Sequence, residues 1–291
     1  MTTLTTNDIR VTPLGDTIGA QIDGVDLSSP IGAATVARLK SAWEQHLVLR
    51  FRGQSHLSLQ GLIDFSSHFG ILDKRPIASK ALHHSALELP EEITVISNVK
   101  VDNQAIGGLG DGEAVWHADM TYNPTPPRAA LLHAQELPSS GGDTQFLNLY
   151  QAYETLSAEL KQRITDLVCV HDASRNSAGE LRLGFAEVTD PLKTLGAHHP
   201  LVRTHPVTGR QSLYLGRRRN AYILGLPVAD SEDLLNALWA HATQAQFTWR
   251  QQWQAGDLVA WDNRVTLHRR DAFDPQSRRL MYRTQVSDRA H

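Results

Sequence analysis

The stretch 257-DLVAWDNRVTLH-268 holds an apolar strand, a turn at Asp262–Asn263 and then a histidine. A run this short and apolar, closed by two residues that favour turns, suits a buried strand better than a helix. The same pattern recurs along the chain. The runs 47–51, 93–99, 129–135, 144–149, 168–172, 200–205, 211–216, 247–253 and 279–286 are short and bounded mostly by Gly, Pro or Asp. Around 206-PVTGR-210 two of them face each other as a hairpin, with Gly209 in the turn. Helical spacing is confined to four segments: 33–47, 57–70, roughly 150–167, and 231–243, the last opening on Ser231 as N-cap. Many short strands with few helices predict a mainly β fold, a sandwich or barrel flanked by helices, and not alternating βαβ units.

The bulk properties narrow the function classes. The 291 residues are 41% hydrophobic and 20% charged, enough for a sizeable core, and they are expected to form one domain spanning 1–291. A formal net charge of −3 gives no general attraction to nucleic acid or to an anionic membrane surface. Cys169 is the only cysteine, so an internal disulfide and an all-cysteine metal site are excluded. The opening MTTLTTNDIR has no apolar signal core, and no run is long and apolar enough to span a bilayer, so a cytoplasmic location is expected. No GxGxxG opens a helix and no GxxxxGK[ST] exists, which leaves nucleotide binding unsupported.

A second stretch, 115-VWHADMTY-122, places His117 and Asp119 two residues apart. If 115–120 is extended, both side chains share a face with Cα atoms roughly 7 Å apart. They can then share one small ion, or form a hydrogen-bonded His–Asp pair and nothing more. His268, at the end of its own strand and turn, is the third candidate ligand. His117, Asp119 and His268 together would make a facial set that leaves three octahedral positions open, as non-haem Fe(II) requires when it must also hold a cosubstrate and O2. The doublets His83–His84 and His198–His199 read as solvated loop residues. Further on, Arg279 and Arg283 share one strand face around Met281, with Leu280, Tyr282 and Thr284 on the other. A solvated edge strand would allow this, and so would two fixed forks for two carboxylates.

These residues carry a family resemblance. The segments 116-WHADMTY-122, 126-PP-127, 136-ELPSSGGDT-144, 202-VRTHPVTGR-210, 258-LVAWDNRVTLHR-269 and 278-RRLMYR-283 resemble the taurine/2,4-dichlorophenoxyacetate dioxygenase (TauD/TfdA) family. The likeness runs from about residue 10 to 287 and includes 49-LRFRGQ-54. It implies a double-stranded β-helix, or jelly roll, and an oxygenase dependent on Fe(II), 2-oxoglutarate and O2. By the same resemblance His117, Asp119 and His268 match the iron ligands. Arg279 and Thr144 match the pair that holds the far carboxylate of 2-oxoglutarate, and Arg283 matches the arginine that holds the sulfonate in the taurine enzyme. The reaction implied is oxidative decarboxylation to succinate and CO2 coupled to hydroxylation, with bond cleavage when the hydroxyl lands beside a heteroatom. Because Asp119 is a carboxylate and not a small residue, halogenation is not expected.

The chain also departs from known branches. The segment 105-AIGGLGDGEAVW-116 is Gly-rich, which suits either a lid over the pocket or a plain surface turn. Glu113 stands where the taurine enzyme has a substrate-contacting asparagine, and Arg75 falls near the slot of its substrate-binding histidine. The expected substrate is therefore a small anion, a carboxylate above all and one that can carry an amine, with Arg283, Glu113 and Arg75 around it. Asn98 resembles a pocket-side position of the phenoxyacid branch without an assigned role. A homo-oligomer with no nucleic-acid or membrane partner is expected. Two rival classes stay open: a zinc hydrolase on the same triad, which leaves Arg279 and Thr144 without purpose, and a non-catalytic jelly-roll binding protein, which predicts a broken triad.

Overall fold

The structure, a computed structural model, describes residues 9–74 and 89–288. Its frame is two facing sheets. The major sheet has eight strands in the order Arg10–Pro13, Ala20–Asp23, Val48–Phe51, Leu258–Asp262, Ala129–Glu136, Leu280–Val286, Thr94–Ser97 and Gly108–Leu109. The minor sheet has four, in the order Thr248–Gln251, Thr144–Asn148, Thr266–Arg270 and Ala114–His117. The turn inside 257–268 is the corner of this frame. It carries the chain from the centre of the major sheet to the centre of the minor one, so two strands a few residues apart never pair with each other. Neighbours distant in sequence pair instead, as expected of a jelly roll.

Burial follows this geometry. Val48, Ile96, Leu132, Phe146, Val259, Trp261 and Met281 fill the space between the sheets. The outer face of the major sheet is covered by the helices Ala33–His46 and Leu59–Ser67 through Leu39, Trp43, Leu62 and Phe65. Beyond the minor sheet, Leu234, Leu235 and Leu238 of the helix Val228–Ala242 pack with Leu147, Leu213 and Leu267.

Three local expectations change. The helix expected over 150–167 is two helices, Leu149–Glu154 and Ala158–Ile164, because the Ser157 hydroxyl caps the second by accepting from the Leu160 amide at 3.2 Å. The helix expected from Ser231 begins at Val228, and buried Ser231 uses its hydroxyl to accept from the Ile223 amide at 2.9 Å. His198–His199 is not a solvated loop. It lies in the strand Gly196–Pro200, where alternation exposes His198 and buries His199 against the Thr121 and Asn123 carbonyls. The hairpin does form, pairing Val202–Thr204 with Gln211–Leu213, with Gly209 at φ 69°.

The sheet-crossing corner is held by buried charge. Arg264 forks onto Asp262 (Nε–Oδ1 2.9 Å, Nη2–Oδ2 2.6 Å) and His205 donates from Nε2 to Asp262 at 3.1 Å. The Nδ1 of His205 accepts from the amides of Val207 and Thr208, which ties the hairpin turn to the corner. Burial opposes the Asp262 charge, but Arg264 and His205 outweigh it and hold the carboxyl at about 2, against an ordinary 3.8. With the folded pKa below the unfolded one, this stabilisation is complete above the ordinary value and is lost as pH falls through about 2. Asp262→Asn leaves the buried Arg264 with only the longer contact to Asp288, 4.0 Å, so we expect a loss of about 3 kcal/mol, the low end for a broken buried pair, in urea unfolding at neutral pH. The variant should also show a shallower acid-side decline in stability than the wild type.

Candidate metal centre

His117 ends the strand Ala114–His117, and His268 stands opposite it on Thr266–Arg270 as its register partner. That pairing brings the two imidazoles to a centroid separation of 4.1 Å. Asp119 is not delivered by strand alternation as expected, because the strand stops at His117 and Met120 already turns left-handed at φ 52°. It is held instead by Asn263 of the sheet-crossing corner. Asn263 accepts from the Asp119 amide at 2.7 Å and donates to the Asp119 and Pro127 carbonyls at 3.0 and 2.8 Å. The result is one donor atom each from His117, Asp119 and His268, all within 4.8 Å of one another and all buried.

The local chemistry prepares this set for a cation. The Nδ1 of His117 donates to the Val115 carbonyl at 2.7 Å, which fixes the tautomer and leaves Nε2 with its lone pair beside Asp119, 3.8 Å away. Burial and the neighbouring His268 push His117 well below its ordinary value, and burial also lowers His268, so both rings are neutral ligands at neutral pH. Burial opposes the Asp119 charge, but Arg283 and the two histidines outweigh it and keep the carboxyl ionised. Arg283 reaches both oxygens of Asp119, at 3.1 and 3.3 Å.

A narrow cavity of about 40 Å³ leads inward from the histidines past Leu132 and Trp261 to Thr144, Arg270 and Arg279. Arg279 is 1% exposed, and among the described residues its only side-chain hydrogen bond is a long one, 3.5 Å, to the Gly142 carbonyl. Its Nε and Nη1 have no partner among the described residues, and burial with nearby Arg270 pushes the guanidinium down to about 9. It still carries its charge at neutral pH. A buried cation with unused donors needs an anion. Thr144 is oriented to help. Its hydroxyl accepts from Trp253 Nε1 at 3.0 Å, so its own proton is free for a carboxylate oxygen. The Arg279 main chain is clamped by Ser97, which donates to its carbonyl at 2.7 Å, and by Asn98, which accepts from its amide at 3.0 Å. Asn98 is thus a brace. These donors fit the far carboxylate of a 2-oxo diacid, while His117, Asp119 and His268 fit a divalent metal.

A larger chamber of about 490 Å³ opens on the other side of His117 and Asp119. Arg283 lines both cavities, and alternation along its strand holds as expected, with Met281 fully buried between the sheets and Thr284 turned to Ser66. The Gly-rich segment is part of the chamber wall. Gly108–Leu109 adds a parallel strand beside Thr94–Ser97, and a Cβ at Gly107 would meet Ser97 and Val95 atoms at 2.9 Å. Arg270 pins this segment by donating to the carbonyls of Leu109 (2.8 Å) and Gly112. Glu113 is elsewhere. Its side chain is 55% exposed, lies 3.6 Å from Arg269 and lines neither cavity. Arg75 and the His83–His84 doublet lie outside the described residues.

Sequence reasoning misses Asn263, Trp253, Arg270 and the chamber residues Arg182 and Arg217. Along the chain Asn263 reads only as a turn residue. The run 217-RRR-219 is the one visible signal for Arg217.

The profile described as Taurine catabolism dioxygenase TauD, TfdA family matches residues 10–285. Pentalenolactone F synthase from Streptomyces arenae is 34% identical over 94% of this chain and 93% of its own. (S)-Phenoxypropionate/alpha-ketoglutarate-dioxygenase from Delftia acidovorans is 35% identical over 97% and 96%. Among solved structures, AAD-2 in complex with Mn(II) and N-oxalylglycine superposes with a TM-score of 0.78 at 32% identity, covering 97% of this chain and 98% of that one. Likeness of this extent, over a jelly-roll frame with an intact His–Asp–His set, places the chain in the TauD/TfdA family of 2-oxoglutarate-dependent non-haem iron dioxygenases.

Proposed function

We propose that the protein uses Fe(II), 2-oxoglutarate and O2 to hydroxylate, oxidatively cleave or desaturate a small anionic substrate, a carboxylate above all. The observation that carries this reading is Arg279, a fully buried guanidinium that pairs with no carboxylate among the described residues, set beyond a three-ligand metal site. Bound there, iron and 2-oxoglutarate supply the activation of O2 and the oxidising equivalents, with succinate and CO2 as coproducts. The chain supplies the rest. His117, Asp119 and His268 would hold the metal, and Arg279 with Thr144 would orient the cosubstrate through its far carboxylate. Arg283, beside Asp119, draws the substrate anion toward the metal. Ile96, Leu109 and Leu132 keep bulk water from the inner cavity. The phenoxypropionate named for one relative is itself a carboxylate. A zinc hydrolase would leave Arg279 and Thr144 unused, and a bare binding protein would not need the intact triad.

The test is a panel of carboxylates, sulfonates, sulfate esters and neutral amides scored by succinate release and O2 uptake. Anions are expected to turn over, and Arg283→Gln to raise their KM roughly ten- to a hundredfold while the KM for 2-oxoglutarate moves little. Neutral compounds turning over as well as anions would defeat the Arg283 assignment. Activity restored by Zn(II) and not by Fe(II) with ascorbate would favour the hydrolase. Glu113→Gln should treat amino and non-amino acids alike, given the exposure of Glu113; a selective effect would restore a substrate amine to the reading. Arg75→Gln is the companion variant for the substrate anion. In this proposal 1–291 is one cytoplasmic domain, and no described helix is long and apolar enough to cross a membrane. A homo-oligomer belongs to the same proposal, and sedimentation velocity checks it.

A further inference from the structure

The chamber holds positive charge that the proposed reaction does not use. Arg217 follows Gly216 in 216-GRRRN-220, and its backbone bridges to His117 at the edge of the minor sheet. Its side chain lines the chamber although the residue is only 9% exposed. Nη1 donates to the Arg175 carbonyl at 2.6 Å and Nη2 to the Asp172 carbonyl at 3.4 Å, while Nε has no partner among the described residues. Among the described residues no carboxylate pairs with it. The nearby Asp172 carboxylate is committed to the Ser174 amide and hydroxyl (2.8 and 2.9 Å) and to Asn220 (3.1 Å). The two following arginines behave differently, Arg218 pairing with Glu232 and Arg219 with Glu187.

A second cation stands beside it. Arg182 also lines the chamber, lies 3.6 Å over the Tyr122 ring and forms no ion pair among the described residues. Burial, and then Arg182, push the Arg217 guanidinium down to about 10. The acids on the chamber wall do not balance this pair. Asp119 belongs to the metal set and already meets Arg283, and Glu180 is exposed and accepts from Asn176 at 2.7 Å. Two guanidiniums brought together without a carboxylate, one of them buried, are stabilised by an anion between them. Arg283 enters the chamber from the major sheet, whereas Arg217 enters from the edge of the minor sheet. The chamber, about 490 Å³, has room for a ligand that reaches both.

We propose that Arg217 and Arg182 form a second anion-binding subsite in the substrate chamber, so that the preferred substrate is a dianion with one anionic group toward Arg283 and the other on Arg217. This rests on the oxygenase reading for its substrate but not for its anion binding, and the test separates the two. The protein is loaded with Mn(II) and N-oxalylglycine, which occupies the metal and Arg279, and is then titrated with sulfate by calorimetry. Wild type is expected to bind sulfate, and Arg217→Gln to weaken it roughly ten- to a hundredfold, with Arg217→Lys keeping most of the affinity. Arg182→Gln, at a more accessible position, should weaken it in the same direction and decides the matter if Arg217→Gln does not fold. In parallel, linear dicarboxylates should bind more tightly than their monomethyl esters and than amino acids of equal length, and this preference should vanish in Arg217→Gln. No sulfate binding by wild type, or equal binding by wild type, Arg217→Gln and Arg182→Gln, overturns the subsite. Failure to take up Mn(II) and N-oxalylglycine defeats the oxygenase reading instead, and the sulfate titration of the unloaded protein still tests Arg217.

Discussion

Arg279→Ala is expected to raise the apparent KM for 2-oxoglutarate on the order of a hundredfold or more while leaving the KM for the prime substrate nearly unchanged. The magnitude follows from burial. Arg279 is 1% exposed and has two nitrogens without partners among the described residues, so a carboxylate bound to it forms a buried pair. Removing one member of such a pair costs about 3–5 kcal/mol, and each 1.4 kcal/mol is about tenfold in affinity. Trp253 and Thr144 remain, so some cosubstrate binding survives. If only the prime-substrate KM moved, the roles of Arg279 and Arg283 would be exchanged.

His117→Ala and His268→Ala should each abolish the weak visible charge-transfer band that anaerobic Fe(II) and 2-oxoglutarate give in the wild type. Turnover should fall by well over the roughly 10- to 100-fold that outer partners of a metal site cost. Asn263→Ala, which reaches the metal set through the backbone of Asp119 and also loses its bond to the Pro127 carbonyl, should fall within that smaller range in Fe(II) affinity. Circular dichroism should show the fold retained in the histidine variants, because both rings line a cavity and the packing between the sheets rests on the apolar side chains, Phe146 and Trp261 among them, that His268 lies against. An unchanged band in both histidine variants would remove these residues from the metal.

Much of this site is legible along the chain because strand geometry is periodic. Two residues on one face of an extended segment recur at every second position, so Arg279, Met281 and Arg283 group together on alternation alone. The turn at Asp262–Asn263 and the hairpin at Gly209 are likewise local, set by residues that accept turn conformations. Local rules fail elsewhere, as two cases show. The segment 150–167 has helical spacing throughout, yet the Ser157 cap starts a new helix. Glu113 lies close to His117 in sequence, but the chain bends it outward to Arg269.

Residue pattern is enough to give a mainly β chain with few helices, to group His117, Asp119 and His268 as a candidate metal set, and to put Arg279 and Arg283 on one face. Periodicity, turn chemistry and the spacing of a family motif suffice for that. Long-range packing settles the rest. It sends the strands on either side of Asp262–Asn263 to opposite sheets, and it makes Asn263 rather than strand alternation the support of Asp119. It also brings Arg217 and Arg182, remote in sequence from the metal ligands, to the chamber wall. The physical reason is register. The pairing of His268 with His117, and of the Arg217 backbone with the same histidine, depends on hydrogen bonds between distant strands, and burial between two sheets selects that pairing as a whole.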